Sequence, residues 1–205
     1  MNNVKFIILL SLILSMFGYM VLERVYPNPK TLPVNTIFKG MPETENNSIM
    51  EMIRLGQESK VYDFYDKVIG NRPLTYLIVT TALANGIPVN YFVALGYTES
   101  RFNVNAVGTN KDADGKILTS DYGVFQLNSN TFKTYEKAYL MKIENNVSMA
   151  AEFLKDKYLK YGNWYEALLS YNAGNTEIIK NITVRHFVSV LTMQKELNTK
   201  LTGGF

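Results

Sequence analysis

The chain has 205 residues, 47% of them hydrophobic, which is enough for one domain with a full core and an N-terminal appendage. Its net charge of +3 comes from 21 Lys and Arg against 18 Asp and Glu spread along the sequence, so the basic runs of a nucleic-acid binder are missing and only a mild attraction to an anionic wall or membrane surface remains. The absence of cysteine excludes disulfides, thiolate zinc sites, cysteine nucleophiles and a lipidated cysteine anchor, and a single histidine excludes clustered-histidine metal sites.

From Phe6 to Leu22 the sequence carries no charge; Lys5 precedes this run and Glu23 and Arg24 follow it. The run is at the short end of a membrane span, and positive charge before it predicts an N-terminus inside and a C-terminus outside. A cleaved signal wants small residues near the end of the run, where Phe17, Tyr19 and Met20 stand instead. An uncleaved anchor is therefore favoured over a signal peptide for residues 1–24, and the remainder is expected in the cell envelope, on the periplasmic side of the cytoplasmic membrane. Pro27, Pro29, Pro33 and Pro42 punctuate a polar stretch, which reads as a linker over residues 25–47.

Residues 48–205 read as one mainly α domain, because apolar residues recur at helical spacing and no sustained alternation appears. Asn71 and Pro73 open a helix running through Ala84, Asn85 and Gly86 close it, and Pro88 fits the first turn of the next. The stretch from Asn103 to Asp121, rich in Gly, Asn and Asp, is a loop or a small hairpin. Three amphipathic helices follow, with predicted stripes Val147, Ala150, Ala151 and Leu154; Trp164, Ala167, Leu168 and Tyr171; and Val184, Phe187, Val188 and Leu191. His186 is expected only to decorate the last of them.

In the helix after Pro88 the apolar stripe passes through Phe92, Leu95 and Gly96, which places Glu99 on the core side. A carboxyl group there is partly desolvated, which disfavours its charged form and suits a general acid. The alternative is a helix-end Glu paired with Arg101 or a nearby lysine at the surface.

The string ESRFNVNAVGTN, followed by DYGVFQLN and then YNAG, resembles the soluble lytic transglycosylase family within the lysozyme-like superfamily. The likeness covers about residues 70–195 and includes NGIPVNYFVALGYTESRFN at the entry to the helix of Glu99. It implies a lysozyme-like helical domain that cleaves the bond between N-acetylmuramic acid and N-acetylglucosamine in peptidoglycan, with Glu99 as catalytic acid and base and Ser100 beside it. Gln126, Tyr171 and Asn172 would line the sugar cleft. An amide such as that of Gln126 both donates to and accepts from sugar groups. Tyr171 has core packing as its alternative, and Asn172-Ala173-Gly174 can equally be a helix C-terminus.

Transglycosylases of this family work with one carboxylate and release a 1,6-anhydro sugar. The acidic loop NKDADGKILTSDYG departs from the usual family pattern and looks like the region of animal lysozymes that carries a second catalytic Asp. Asp121 is the corresponding candidate, and a carboxyl pair about 5 Å apart would make retaining hydrolysis available. Alternatively Asp121 closes a hairpin. The same loop matches part of a calcium-loop pattern, with Asn110, Asp112, Asp114, Gly115 and Asp121 at positions 1, 3, 5, 6 and 12. No cofactor is expected, with calcium at this loop as the alternative.

The expected partners are peptidoglycan strands and, through the N-terminal segment, the membrane; nucleic acid is not among them. Local clearing of wall would serve growth or a secretion or motility complex, although the sequence names none. Two further readings are a catalytically silent peptidoglycan-binding module and a calcium-responsive adaptor.

Overall fold

In the computed structural model, residues 31–33, 47–173 and 178–203 are described. A short strand, β1 (Thr31–Pro33), pairs antiparallel with β5 (Ile178–Lys180). Between them run α1 (Asn47–Arg54), α2 (Glu58–Ile69), α3 (Arg72–Ala84) and α4 (Val89–Ser100), then β2 (Val107–Lys111), β3 (Ile117–Tyr122) and β4 (Leu127–Asn128), and then α5 (Lys137–Met141), α6 (Ile143–Tyr161) and α7 (Trp164–Ala173). The last helix, α8 (Asn181–Gly203), follows β5. The described residues are thus mainly helical, with one small sheet inserted after α4. The predicted signal or anchor at 1–24 and nearly all of the linker at 25–47 lie outside the described residues. Among the described residues no helix is long and apolar enough to cross a membrane.

Local chemistry sets the helix ends. Asn71 caps α3 by accepting a hydrogen bond from the Leu74 backbone N–H at 3.1 Å, and Pro73 occupies the first turn, where its missing N–H removes no helical bond. Gly162 closes α6 in the left-handed conformation, its N–H bonded to the Tyr158 carbonyl.

The core is built around α4, on which every residue from Val89 to Gly96 is buried. Helices α3 and α8 pack along it, and α6 packs on α7. The predicted stripe of α6 holds in full: Val147, Ala150, Ala151 and Leu154 are all buried. One polar connection crosses this interior: Tyr65 of α2 donates to Asn90 of α4, which donates through its amide to Asn198 of α8.

The predicted stripe of α8 needs correction. Phe187 is buried, but Val188 is 39% exposed and Leu191 only half-buried; the buried face runs through Phe187, Val190, Gln194, Leu197 and Leu201. These residues repeat at alternating steps of three and four, so the helix is rotated to bring Asn198 onto Asn90, and a polar Gln194 takes a place that hydrophobicity alone gives to an apolar residue.

The stretch from 103 to 121 contains a hairpin strand pair. Strands β2 and β3 are antiparallel with Gly108 opposite Asp121 and Asn110 opposite Thr119, and β4 adds Asn128 on the other side of Asp121.

Candidate active site

Glu99 lies in the last turn of α4, just before an abrupt change of direction. Arg101 and Phe102 both have positive φ, at 54° and 62°, although neither is glycine. Such residues are strained and are found where surrounding structure over-determines them, often at functional sites. Here Phe102 is driven into the core against Gly96 and Tyr97. The third non-glycine residue with positive φ among the described residues is Gln126, at 48°.

The stripe that directs Glu99 inward is as expected from its spacing: Phe92 and Leu95 are fully buried, and the ring of Phe125 stacks on Phe92 at 4.3 Å. The Glu99 side chain is 11% exposed. The alternative of a surface pair with Arg101 is not realised, since Arg101 lies over the Tyr97 ring and donates to the Tyr97 hydroxyl. Glu99 Oε1 faces His186 Nε2 of α8 at 3.0 Å.

The segment from Gly123 to Gln126 forms the neighbouring wall, and three helices hold its backbone. Ser100 of α4 donates to the Val124 carbonyl at 2.7 Å, and Tyr171 of α7 donates to the Phe125 carbonyl at 2.9 Å. Asn146 of α6 accepts from the Phe125 N–H at 2.9 Å and donates to the carbonyls of Tyr122 and Leu140 at 2.7 and 2.9 Å. Buried backbone groups outside regular structure need such side-chain partners. Ser100 and Tyr171 thus have their hydroxyl protons engaged on backbone carbonyls. Gln126 likewise turns its amide nitrogen to the Gly123 carbonyl at 2.8 Å, while its Oε1 lies over Gly108. Asn172 is exposed, one step around α7 from Tyr171.

Burial pushes the Tyr171 hydroxyl well above the ordinary tyrosine range, and the nearby carboxylates of Glu99 and Asp121 push it further. Tyr171 thus remains a neutral hydrogen-bond donor.

Asp121 sits at the centre of the small sheet with both carboxylate oxygens engaged. Oδ1 accepts from Asn128 Nδ2 at 2.7 Å and Oδ2 from Asn110 Nδ2 at 2.8 Å, and both amides also donate to the Thr119 hydroxyl. The oxygen-rich loop is consequently drawn into a hairpin. Asn110 and Asp121 meet across the strands, whereas Asp112 stands at the turn and accepts from the backbone N–H groups of Asp114 and Lys116. Among the described residues no group of three His, Cys, Asp or Glu side chains could hold a metal ion.

Asn146 carries no expectation from the sequence reading, and His186, expected only to decorate the last helix, instead faces Glu99. Asn146 immediately precedes Val147 and shares a face with Ala150, so an amide on an apolar stripe was its signal. His186 lies four residues before Val190 and belongs to the buried face of α8; the misplaced stripe concealed it.

The family model of the transglycosylase SLT domain matches residues 77–188. A peptidoglycan-binding-like protein of Escherichia coli O157:H7 is 27% identical over 96 residues, covering 43% of this chain and 58% of that protein. A putative peptidoglycan-binding-like protein of Escherichia coli strain K12 is 26% identical over 96 residues, covering 43% and 61%. The chain thus spans about three fifths of the length of these curated relatives. No solved structure matches with significance. The family match extends over more than half of the sequence and includes Glu99, Asp121, the Gly123–Gln126 wall, Tyr171 and His186, and on that ground the chain belongs to the transglycosylase SLT domain family.

Proposed function

We propose that this protein cleaves the β-1,4 bond between N-acetylmuramic acid and N-acetylglucosamine in peptidoglycan, outside the cytoplasmic membrane, by lytic transglycosylation with Glu99 as acid and base. The observation that carries this reading is the placement of one carboxyl group, 11% exposed, at the end of the central helix and against a wall fixed by Ser100, Asn146 and Tyr171. The names of the two relatives refer to peptidoglycan binding, which agrees with a glycan substrate. The apolar run at the N-terminus of the sequence supports action in the envelope.

In this mechanism protonated Glu99 gives its proton to the leaving glycosidic oxygen as the bond to C1 breaks. The substrate's own N-acetyl group supports the positive charge that develops at C1. The 6-hydroxyl oxygen of the same sugar then bonds to C1, and its proton returns to Glu99. Tyr171 and Ser100 hold the wall against which the sugar lies, and Asn172 and the Gln126 carbonyl oxygen remain as candidate sugar contacts.

A second reading is retaining hydrolysis, favoured by one observation: Asp121 is a fixed carboxylate within the electrostatic surroundings of Tyr171, as Glu99 is. Mass spectrometry of soluble fragments released from purified peptidoglycan separates the readings, with Glu99→Gln as control. Fragments ending in 1,6-anhydro-muramic acid, absent from the control, support the transglycosylase. Reducing ends carrying one added water support the hydrolase, and no release by either protein supports a glycan-binding module.

A further inference from the structure

The single histidine of the chain stands beside the candidate acid. His186 is followed by Phe187, whose buried ring packs edge-on against Tyr165 of α7, and α8 is fixed along α4, so the imidazole is held in place by packing. Its Nε2 is 3.0 Å from Glu99 Oε1, and the two side chains are 15% and 11% exposed. The contact lies off the hydrogen-bond line, and both ring nitrogens are buried without a hydrogen-bond partner among the described residues. Buried polar groups are normally satisfied, and an exception at a reactive carboxyl group calls for a functional account. Catalytic hydrogen bonds are often misaligned before substrate binds.

The titratable side chains on the two helices packed against α8 are Tyr91, Tyr97 and Glu99 of α4 and Tyr165, Glu166 and Tyr171 of α7. Of the ionisable groups that are described, Glu99 alone comes within ion-pair range of His186. Arg185, beside His186 on α8, is exposed to solvent.

We propose that His186 and Glu99 hold one proton between them, and that His186 acts through Glu99 as a positioning residue that keeps it supplied with the proton for the glycosidic oxygen. This rests on the reading of Glu99 as acid and base. With the proton on Glu99 and the imidazole neutral, transfer to the glycosidic oxygen accompanies cleavage of its bond to C1, and that oxygen keeps the bonding electron pair. The pair is then a carboxylate beside a neutral imidazole. Bond formation between C1 and the 6-hydroxyl oxygen returns one proton to Glu99, so His186 undergoes no net change over the cycle. Between turnovers the proton can rest on either partner. Titration of such a pair belongs to both groups together. Because an imidazole holds its proton to higher pH than a carboxyl group does, the pair stays loaded into a less acidic range than a lone glutamic acid.

The test uses the 205-residue chain, purified peptidoglycan and three variants. Release of fragments is followed against pH for the wild type, His186→Gln and His186→Phe, with Glu99→Gln as control, and the imidazole is titrated by NMR in the wild type and in Glu99→Gln, where a single histidine makes the signal unambiguous. In His186→Phe we expect a loss of about tenfold or more in kcat at neutral pH, with KM little changed. His186→Gln keeps a hydrogen-bonding group that does not titrate, so part of the rate returns at acid pH while the alkaline limb moves down by about one pH unit. In Glu99→Gln the imidazole titrates at lower pH than in the wild type. Wild-type profiles in both histidine variants, folded by circular dichroism, would overturn the pair and leave the role of Glu99 intact, as would an imidazole titration indifferent to Glu99→Gln. Normal cleavage by Glu99→Gln would instead overturn the underlying reading. Should His186→Phe fail to fold, His186→Gln and the titration decide.

Discussion

The amide of Asn146 occupies the space that a side chain at residue 123 would need. A Cβ added to Gly123 would stand 2.5 Å from Asn146 Nδ2, and the backbone there is left-handed, with φ at 72°. The glycine of the Gly-x-x-Gln segment is thus required twice, by its own conformation and by a neighbour from another helix. We predict that Gly123→Ala destabilises the fold by about 2 kcal/mol or more. Asn146→Ala, which strips partners from the Phe125 N–H and from the carbonyls of Tyr122 and Leu140, should cost about 3 kcal/mol. Urea denaturation of both variants and of the double variant checks the relationship. Removing Asn146 makes room for the new methyl group, so the double variant should lose less than the two single losses combined, by about 1 kcal/mol.

Tyr171→Phe removes the hydrogen bond to the Phe125 carbonyl and should cost about 1–2 kcal/mol at neutral pH. The wild type should also show a pH effect that the variant lacks. The folded Tyr171 hydroxyl is raised above its unfolded value, first by burial and then by Glu99 and Asp121. Its stabilising effect is fully present below the unfolded value of about 10 and is lost as pH rises, because the unfolded chain gives up the proton first. Melting temperatures taken at pH 9 and pH 11 should therefore converge between wild type and Tyr171→Phe; a gap that does not narrow would contradict the direction of the shift.

Asp121→Asn distinguishes a structural from a chemical carboxylate. In a transglycosylase the variant should keep 1,6-anhydro products at a rate within about tenfold of wild type, since only the bonds to Asn110 and Asn128 are disturbed. A loss of more than about a hundredfold, with hydrolytic products in the wild type, would give Asp121 the role of second carboxylate.

The hairpin geometry also predicts the response to chelation. Asn110 directs its amide nitrogen to Asp121, and Asp112 accepts backbone hydrogen bonds at the turn, so an ion in the calcium-loop pattern would have to displace these bonds. The melting temperature in calcium should match that in EDTA, because an ion bound only to the folded state would raise it. A rise with calcium would restore the metal reading.

The sequence made legible what depends on neighbours along the chain. Asn71 and Pro73 announced α3 because capping is a local affair, and the stripe of Phe92, Leu95 and Gly96 pointed Glu99 inward because helical spacing is fixed. The orientation of α8 was not legible. Val188 and Leu191 are as hydrophobic as Val190, and which face turns inward is decided by docking on α4 and by the Asn90–Asn198 contact, features that periodicity within one helix does not contain. The same limit hid His186. Asn146 escaped for a related reason, since the groups it satisfies belong to Tyr122, Phe125 and Leu140, whose folding into one loop could not be read from residue 146 itself.

The contacts that complete the cleft wall span long stretches of chain: 24 residues separate Ser100 from Val124, 21 separate Asn146 from Phe125, and 46 separate Tyr171 from Phe125. Closing such separations carries an entropic cost that local helix formation does not, which delays them in folding. Individual helices can therefore form while the wall is still open, and the cleft is among the last parts to assemble. A chain truncated before α7 keeps Glu99 and the contacts of Ser100 and Asn146, but lacks the Tyr171 hydrogen bond and the His186 contact. The surroundings of Glu99 are thus complete only once α7 and α8 have docked, which makes the site a reporter of the finished domain.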